Sequence, residues 1–310
     1  MFDILHYPFI QNALLAGSIV AVISAVMGYF VIVRGLTFAG HALPNIGFAG
    51  AAGAVLLGLD PVIGLFVFTI GAGIGIGLLG KEVGERDTSI GIIMTFALGL
   101  GLLFLSLYSG YAERVYSILF GQIIGISQQD VVLTALSSLL TLLLILLLFR
   151  PLLFSSFDPE VAQARGLPVR LLSIVFLILL AITISLAVQV IGALLIFTLL
   201  IGPAATASRL VKSPVRAIAL AVLLGVGYTC LGIYLAAENG VWPVSFYIAS
   251  ISFAIYLPVR LLSPLWMKRR DQRSTSTQRE AVVENSRSAR PAGIVASETQ
   301  IAEHLTGSSR

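Results

Sequence analysis

The chain has 310 residues, of which 57% are hydrophobic and 11% charged, with a mean hydropathy of +0.99 and a formal net charge of +4. Soluble domains carry roughly 25% charged residues, so no water-facing surface can be assembled from this composition, and lipid must be the solvent for most of the chain. The positive balance does not point to nucleic acid, because the basic residues sit between apolar runs and in the C-terminal tail, where they read as topology signals.

A single cysteine, Cys230, lies in an apolar segment, which excludes a disulfide framework and a Cys-based zinc cluster and reads as packing. The opening Met1, Phe2 and Asp3 lack the basic region and small-residue cleavage site of a signal peptide, so the first hydrophobic run is expected to stay in the mature protein. A spanning helix needs about 20 apolar residues. On that measure the sequence predicts an all-α integral membrane protein of about nine helices, near 9–33, 37–57, 61–79, 88–108, 131–149, 171–188, 189–208, 216–236 and 243–261. The stretch from Leu171 to Arg209 is twice one span with no charge inside it, and a tight external turn at 186–190 divides it, Gln189 and Gly192 being its turn-friendly residues. A re-entrant segment there would lower the count to eight.

Assigning alternate loops to opposite sides leaves Arg114 alone on one side and the other 18 of the 19 Lys and Arg residues on the other. This split places the N-terminus outside and the C-terminus in the cytoplasm of an inner (plasma) membrane. Asp3, Asp60, Glu113, Asp130 and Glu238 then fall on the outer side. Residues 1–267 are expected to form the membrane domain. From Lys268 the composition turns basic and then to Ser, Thr, Arg and Glu without apolar periodicity, so 268–310 reads as a disordered cytoplasmic tail, whose first basic residues suit an anionic leaflet.

Gly75, Gly77 and Gly80 match a dinucleotide-binding glycine pattern, and Gly75 to Lys81 begins a Walker A pattern. The context rejects both: no strand precedes them, Glu82 stands where Ser or Thr must meet magnesium, and the segment lies in a hydrophobic span. Gly71, Gly73, Gly75 and Gly77 read instead as small residues that let helices approach closely. With no catalytic constellation elsewhere, the chain is expected to be no enzyme and to hydrolyse no ATP by itself.

Two features bear on function. The second span contains His41 and, four residues later on the same helical face, Asn45. Polar side chains at membrane depth are costly and face a bundle interior or a pathway, and neutral imidazole is a common ligand for zinc and related ions. The alternative is that His41 hydrogen-bonds a neighbouring helix near the cytoplasmic interface. Pro44 cannot donate to the Gly40 carbonyl, so either the helix begins near Pro44 or that carbonyl faces a cavity. The second feature is the cytoplasmic loop at 155–170, where Asp158, Pro159 and Glu160 form a helix start and Gly166 a helix stop. A short amphipathic helix results, suited to docking a soluble partner.

The chain resembles permeases of the zinc and manganese ABC importer family over about residues 10–262. The markers are Arg34 through Gly50; Glu85, Arg86, Asp87 followed by Ser89, Ile90, Gly91; the Leu119, Phe120, Gly121 turn; the loop from Phe157 to Leu167; and Gly192 to Leu195 leading to Ile201 through Ala207. The resemblance implies a permease dimer driven by a separate cytoplasmic ABC ATPase subunit and fed by an extracytoplasmic metal-binding protein. It implies no tightly bound cofactor, the metal being cargo, and it matches Asp158, Glu160, Arg165 and Gly166 to the ATPase-coupling helix. In typical members the second helix carries an Asp followed four residues later by a His, whereas here His41 and Asn45 stand at those positions. Loss of the carboxylate favours zinc over manganese or iron as the transported ion. The other readings are a permease for a metal chelate such as a siderophore or cobalamin, a self-sufficient secondary carrier, or a non-transporting membrane scaffold.

Overall fold

The computed structural model describes residues 7–79, 83–108, 126–239 and 242–262. The expected tail at 268–310, the basic Lys81 and Arg114, the end of the glycine pattern at 80–82 and the Leu119 to Gly121 turn lie outside them. The chain divides into two units, Met1–Val259 and Arg260–Arg310, and of the second only 260–262 are described.

All regular structure among the described residues is helical: α1 (Pro8–Val33), α2 (Thr37–Leu56), α3 (Pro61–Leu78), α4 (Val83–Leu107), α5 (Gln128–Leu147), α6 (Phe149–Phe157), α7 (Pro159–Ala164), α8 (Val169–Ile191), α9 (Ala193–Leu210), α10 (Pro214–Asn239) and α11 (Val244–Leu262). Helix starts follow local chemistry. Pro8, Pro61, Pro159 and Pro214 occupy first positions, where a missing N–H costs nothing. Asp60 accepts from the Val62 N–H at 2.8 Å. Ser127 and Asp130 form a reciprocal capping box that starts α5 three residues before its apolar run.

Seven helices, α1, α3, α4, α5, α8, α10 and α11, are long and apolar enough to cross a membrane. The expectation of nine (or eight) crossings also counts α9, whose apolar stretch is shorter, and α2, which His41, Pro44, Asn45 and a run of Gly and Ala make less apolar. α4 begins five residues before its expected position at 88, because Glu85, Arg86 and Asp87 end an apolar run without ending a helix. The division expected at 186–190 lies instead at Gly192. Gln189 sits comfortably in α8, its Nε2 donating to the Ser185 carbonyl at 3.4 Å, while Gly192 takes φ +94°, a conformation open to glycine alone.

α1 and α2 form the inside of the bundle. α1 packs against α5, α8, α9 and α10, and α2 against α3 and α4. Outer helices expose large apolar side chains, such as Ile92, Phe96 and Leu102 on α4 and Leu133, Leu136 and Leu140 on α5, a surface suited to hydrocarbon. With no hydrophobic driving force between helices in lipid, close backbone approach carries the packing. Gly50 of α2 and Gly64 of α3 face each other so closely that a Cβ on either would overlap the other's carbonyl oxygen, and a Cβ on Gly28 of α1 would overlap the Leu200 carbonyl of α9. α3 and α8 are joined by a buried hydroxyl pair, Thr69 Oγ1 and Ser185 Oγ, at 2.6 Å.

The glycines of α3 divide by face. A Cβ on Gly73 would come within 2.9 Å of the Leu177 carbonyl and one on Gly77 within 2.9 Å of Ile174 on α8, whereas Gly71 and Gly75 have nothing within 4 Å. Close approach therefore accounts for Gly73 and Gly77 and not for Gly71 and Gly75. Gly64→Val should accordingly cost roughly 1–3 kcal/mol through overpacking, and Gly71→Ala should be neutral or stabilising by up to about 1 kcal/mol through helix propensity. Thermal unfolding of the detergent-solubilised variants measures both, and equal destabilisation by the two would contradict the facing of α3.

Candidate functional site

α2 is helical from Thr37 through Pro44 without interruption. The helix therefore does not begin at Pro44, and the Gly40 carbonyl lacks an intrahelical donor. With a rise of 1.5 Å per residue, His41 lies about 6 Å and Asn45 about 12 Å from the start of the helix, the end at which Arg34 and Arg86 gather.

Many polar side chains elsewhere in the bundle are satisfied by the helix that carries them, although Ser24, Ser138 and Tyr228 are buried with no partner among the described residues. Thr95, Thr141, Thr183, Thr206, Ser208 and Thr229 each donate to the carbonyl four residues back at 2.8–2.9 Å, and these bonds complete the requirement set by a medium without water. Asn45 follows the same rule, its Nδ2 donating to the His41 carbonyl at 2.8 Å, with the Met94 sulfur of α4 3.8 Å away. The amide oxygen is then the end left to accept.

His41 breaks the rule. Its side chain is exposed, its ring meets the ring of Phe197 on α9 edge-on at 5.1 Å, and among the described residues no hydrogen bond reaches either ring nitrogen. Among the described residues, the interhelical hydrogen bond that would make His41 a packing residue is not formed. The structure thus brings His41 and Asn45 together as their spacing predicts, and adds Met94 and Phe197, which sequence reasoning missed. A methionine or phenylalanine in an apolar span carries no signal that separates a pathway wall from packing. Among the described residues no group of three or more His, Cys, Asp or Glu side chains gathers, so the donors available here are imidazole nitrogen, amide oxygen and thioether sulfur.

The loop after α6 is built as its sequence predicts. Asp158 Oδ1 accepts from the Val161 N–H at 3.0 Å, Pro159 takes the first position of α7, and Glu160 lies in the first turn, where the positive end of the helix dipole favours a carboxylate. At the other end Gly166 adopts φ +82°; its N–H bonds the Gln163 carbonyl and the Leu167 N–H the Ala162 carbonyl at 3.0 and 3.1 Å, the double bond of a Schellman stop. Arg165 lies over the Phe154 ring at 5.5 Å. Ala162 is the buried anchor, and Phe157, Glu160, Val161, Gln163 and Ala164 are exposed. The loop therefore presents a stiff, mixed apolar and charged tip rather than a floppy connection. Cys230, expected to be packing, lies 3.6 Å from Ser18 Oγ.

This architecture has close relatives. The chain is 34% identical over 233 residues to the manganese transport system membrane protein MntC of Halalkalibacterium halodurans, covering 75% of this chain and 80% of that protein. It is 34% identical over 256 residues to the manganese import system permease protein ScaB of Streptococcus gordonii, covering 80% and 92%. Its fold matches the solved structure of PsaBC from Streptococcus pneumoniae in complex with Fab with a TM-score of 0.73 at 31% identity, over 82% of this chain and 91% of that one. The description of the ABC 3 transport family matches residues 6–262, nearly the whole of the helical bundle. This chain belongs to the ABC 3 transport family and is a multi-pass membrane protein of that family.

Proposed function

We propose that this chain is the membrane-spanning subunit of an ABC importer that carries a divalent metal ion into the cytoplasm by alternating access, powered by a separate ATPase and supplied by an extracytoplasmic metal-binding protein. The observation that carries this reading is His41, an intramembrane imidazole with no hydrogen-bond partner among the described residues, beside Asn45, whose amide nitrogen is already engaged. A polar ring within a span is tolerated where it faces a pathway or partner rather than lipid, and an exposed imidazole with its lone pair unengaged can take up a passing cation.

The donors on one chain are too few for a tight site, as conduction requires: binding must be favourable enough to enter and weak enough to leave. A second permease copy facing the exposed His41 surface supplies the other wall of the pathway. α7, with Asp158, Glu160, Arg165 and Gly166, is the docking element for the ATPase, and the charge asymmetry puts it on the cytoplasmic side with the C-terminus. No ATP is hydrolysed by this subunit, and no cofactor is held.

Zinc is the ion we favour. The MntC and ScaB relatives are named for manganese, but imidazole, amide and thioether without a carboxylate suit zinc better than the harder manganese ion. The expected result for His41→Ala is assembly at normal levels with uptake reduced at least tenfold, since even loss of a group that only supports a metal ligand costs about 10–100-fold. Uptake of radioactive zinc and manganese by cells depleted of each ion measures the effect and the preference together; unchanged uptake would remove His41 from the pathway, and faster manganese than zinc uptake would reverse the choice of ion.

A second test addresses docking. Asp158→Ala removes a helix cap worth about 1 kcal/mol, and Gly166→Val puts a branched side chain where φ is positive, at a further cost of roughly 1–2 kcal/mol. Both should lower co-purification of the ATPase subunit while leaving the helical circular dichroism of the permease intact. Retention of the ATPase at the normal ratio by both variants would contradict the assignment of α7.

A further inference from the structure

The coupling loop and the helix that carries His41 are far apart in sequence, and one side chain holds their bases together. Arg34, the first residue beyond α1, sends Nη2 to Ser155 Oγ at 3.1 Å and to Ser173 Oγ at 3.4 Å. Ser155 lies in the last turn before α7 and Ser173 in the first turns of α8, so one guanidinium grips both flanks of the docking element. Its flat face lies 5.2 Å from the centre of the Phe176 ring, also on α8, a stacking that an ammonium group reproduces poorly.

The other end of the link is equally short. Gly35, the next residue, turns the chain with φ +64°, its carbonyl accepts from Arg86 Nη2 of α4 at 3.0 Å, and α2 begins at Thr37. From the Arg34 guanidinium to His41 the connection is thus a tight turn and one turn of helix, with no slack segment between them. α7 itself makes little contact with the rest of the bundle beyond α6 and α8, so a displacement imposed on it must leave through those two helices.

Arg34 is also held under tension of a chemical kind. Nη1 is buried with no hydrogen-bond partner among the described residues, and burial pushes the guanidinium from its usual value down to about 10, which keeps it charged at neutral pH. The side chain as a whole is half-buried, and Nη2 has two hydroxyls within reach, Ser155 and Ser173, between which it can exchange.

We infer that Arg34 is the positioning residue that transmits movement of the ATPase-coupling loop to the pathway helix α2, through Ser155 and Ser173 on one side and Gly35 on the other. The inference rests on the proposed import function. Its role is to make transport follow hydrolysis, and its loss should uncouple the two rather than abolish either component.

The test is made on the full importer, permease with its ATPase and metal-loaded binding protein, reconstituted in liposomes with ATP and radioactive zinc or manganese. Metal ions moved per ATP hydrolysed is the readout, because a purely structural role would lower the yield of complex without changing this ratio in what assembles. Arg34→Met keeps the apolar stem and removes the donors, and the ratio should fall about tenfold, the scale of losing hydrogen bonds from a charged group. Ser155→Ala with Ser173→Ala changes little volume and tests the same link if Arg34→Met fails to assemble; the ratio should fall about threefold or more. A normal ratio in the double serine variant, or in assembled Arg34→Met, would overturn the inference. If the unaltered importer moves neither ion, the proposed function fails first; if it transports normally and the variants match it, only the role of Arg34 fails.

Discussion

Hydrocarbon supplies no hydrogen bonds, and this single constraint organises the bundle. Each threonine and serine inside it must find a partner within reach, and most find it on their own helix, four residues back. Helices satisfied in this way need little from one another beyond close contact, which the facing glycines at 50 and 64 and at 28 provide. Several polar groups stay without a partner among the described residues, and two such groups lie close along the chain: the exposed ring of His41 in α2 and one nitrogen of Arg34 at the base of the same helix.

The two sit on one mechanical unit. Arg34, Gly35 and the first turn of α2 form a short rigid piece, pinned from one side by Arg86 of α4 and from the other by the helices flanking α7. On the proposed function, a force delivered at the capped tip of α7 would arrive within a few residues of the imidazole. The donors that would meet the cation on that function are few and neutral, which fits a site that a moving ion visits and leaves.

Much of this was legible in the sequence, for reasons that differ from element to element. Hydropathy located the helices because lipid selects apolar runs of a fixed length, yet it misplaced their ends: α4 continues through Glu85, Arg86 and Asp87, and α5 starts at a Ser127 and Asp130 capping box that could have been read directly. The short helix α7 and its two ends were fully legible, since Asp158, Pro159 and Gly166 each act through local backbone chemistry. The break at Gly192 was placed a few residues early because a glutamine was weighed as a turn former, while only glycine adopts the required φ. The α3 glycines show the opposite limit, for spacing alone cannot say which face meets a neighbour. Met94, Phe197 and the grip of Arg34 on Ser155 and Ser173 were invisible, because each depends on contacts between segments distant in sequence.

A residue that lines a pathway opened alternately to the two sides of the membrane, as proposed for His41, is reached from one side at a time. Because Cys230 is the single cysteine, a His41→Cys, Cys230→Ala variant in the assembled importer reports that directly through its reaction with a membrane-impermeant thiol reagent. The expected result is a thiol labelled from one side in the nucleotide-free complex, with the side changed or access closed on ATP binding, and protection by zinc. A thiol unreactive from both sides in every state, or labelled identically whether or not ATP is bound, would contradict it.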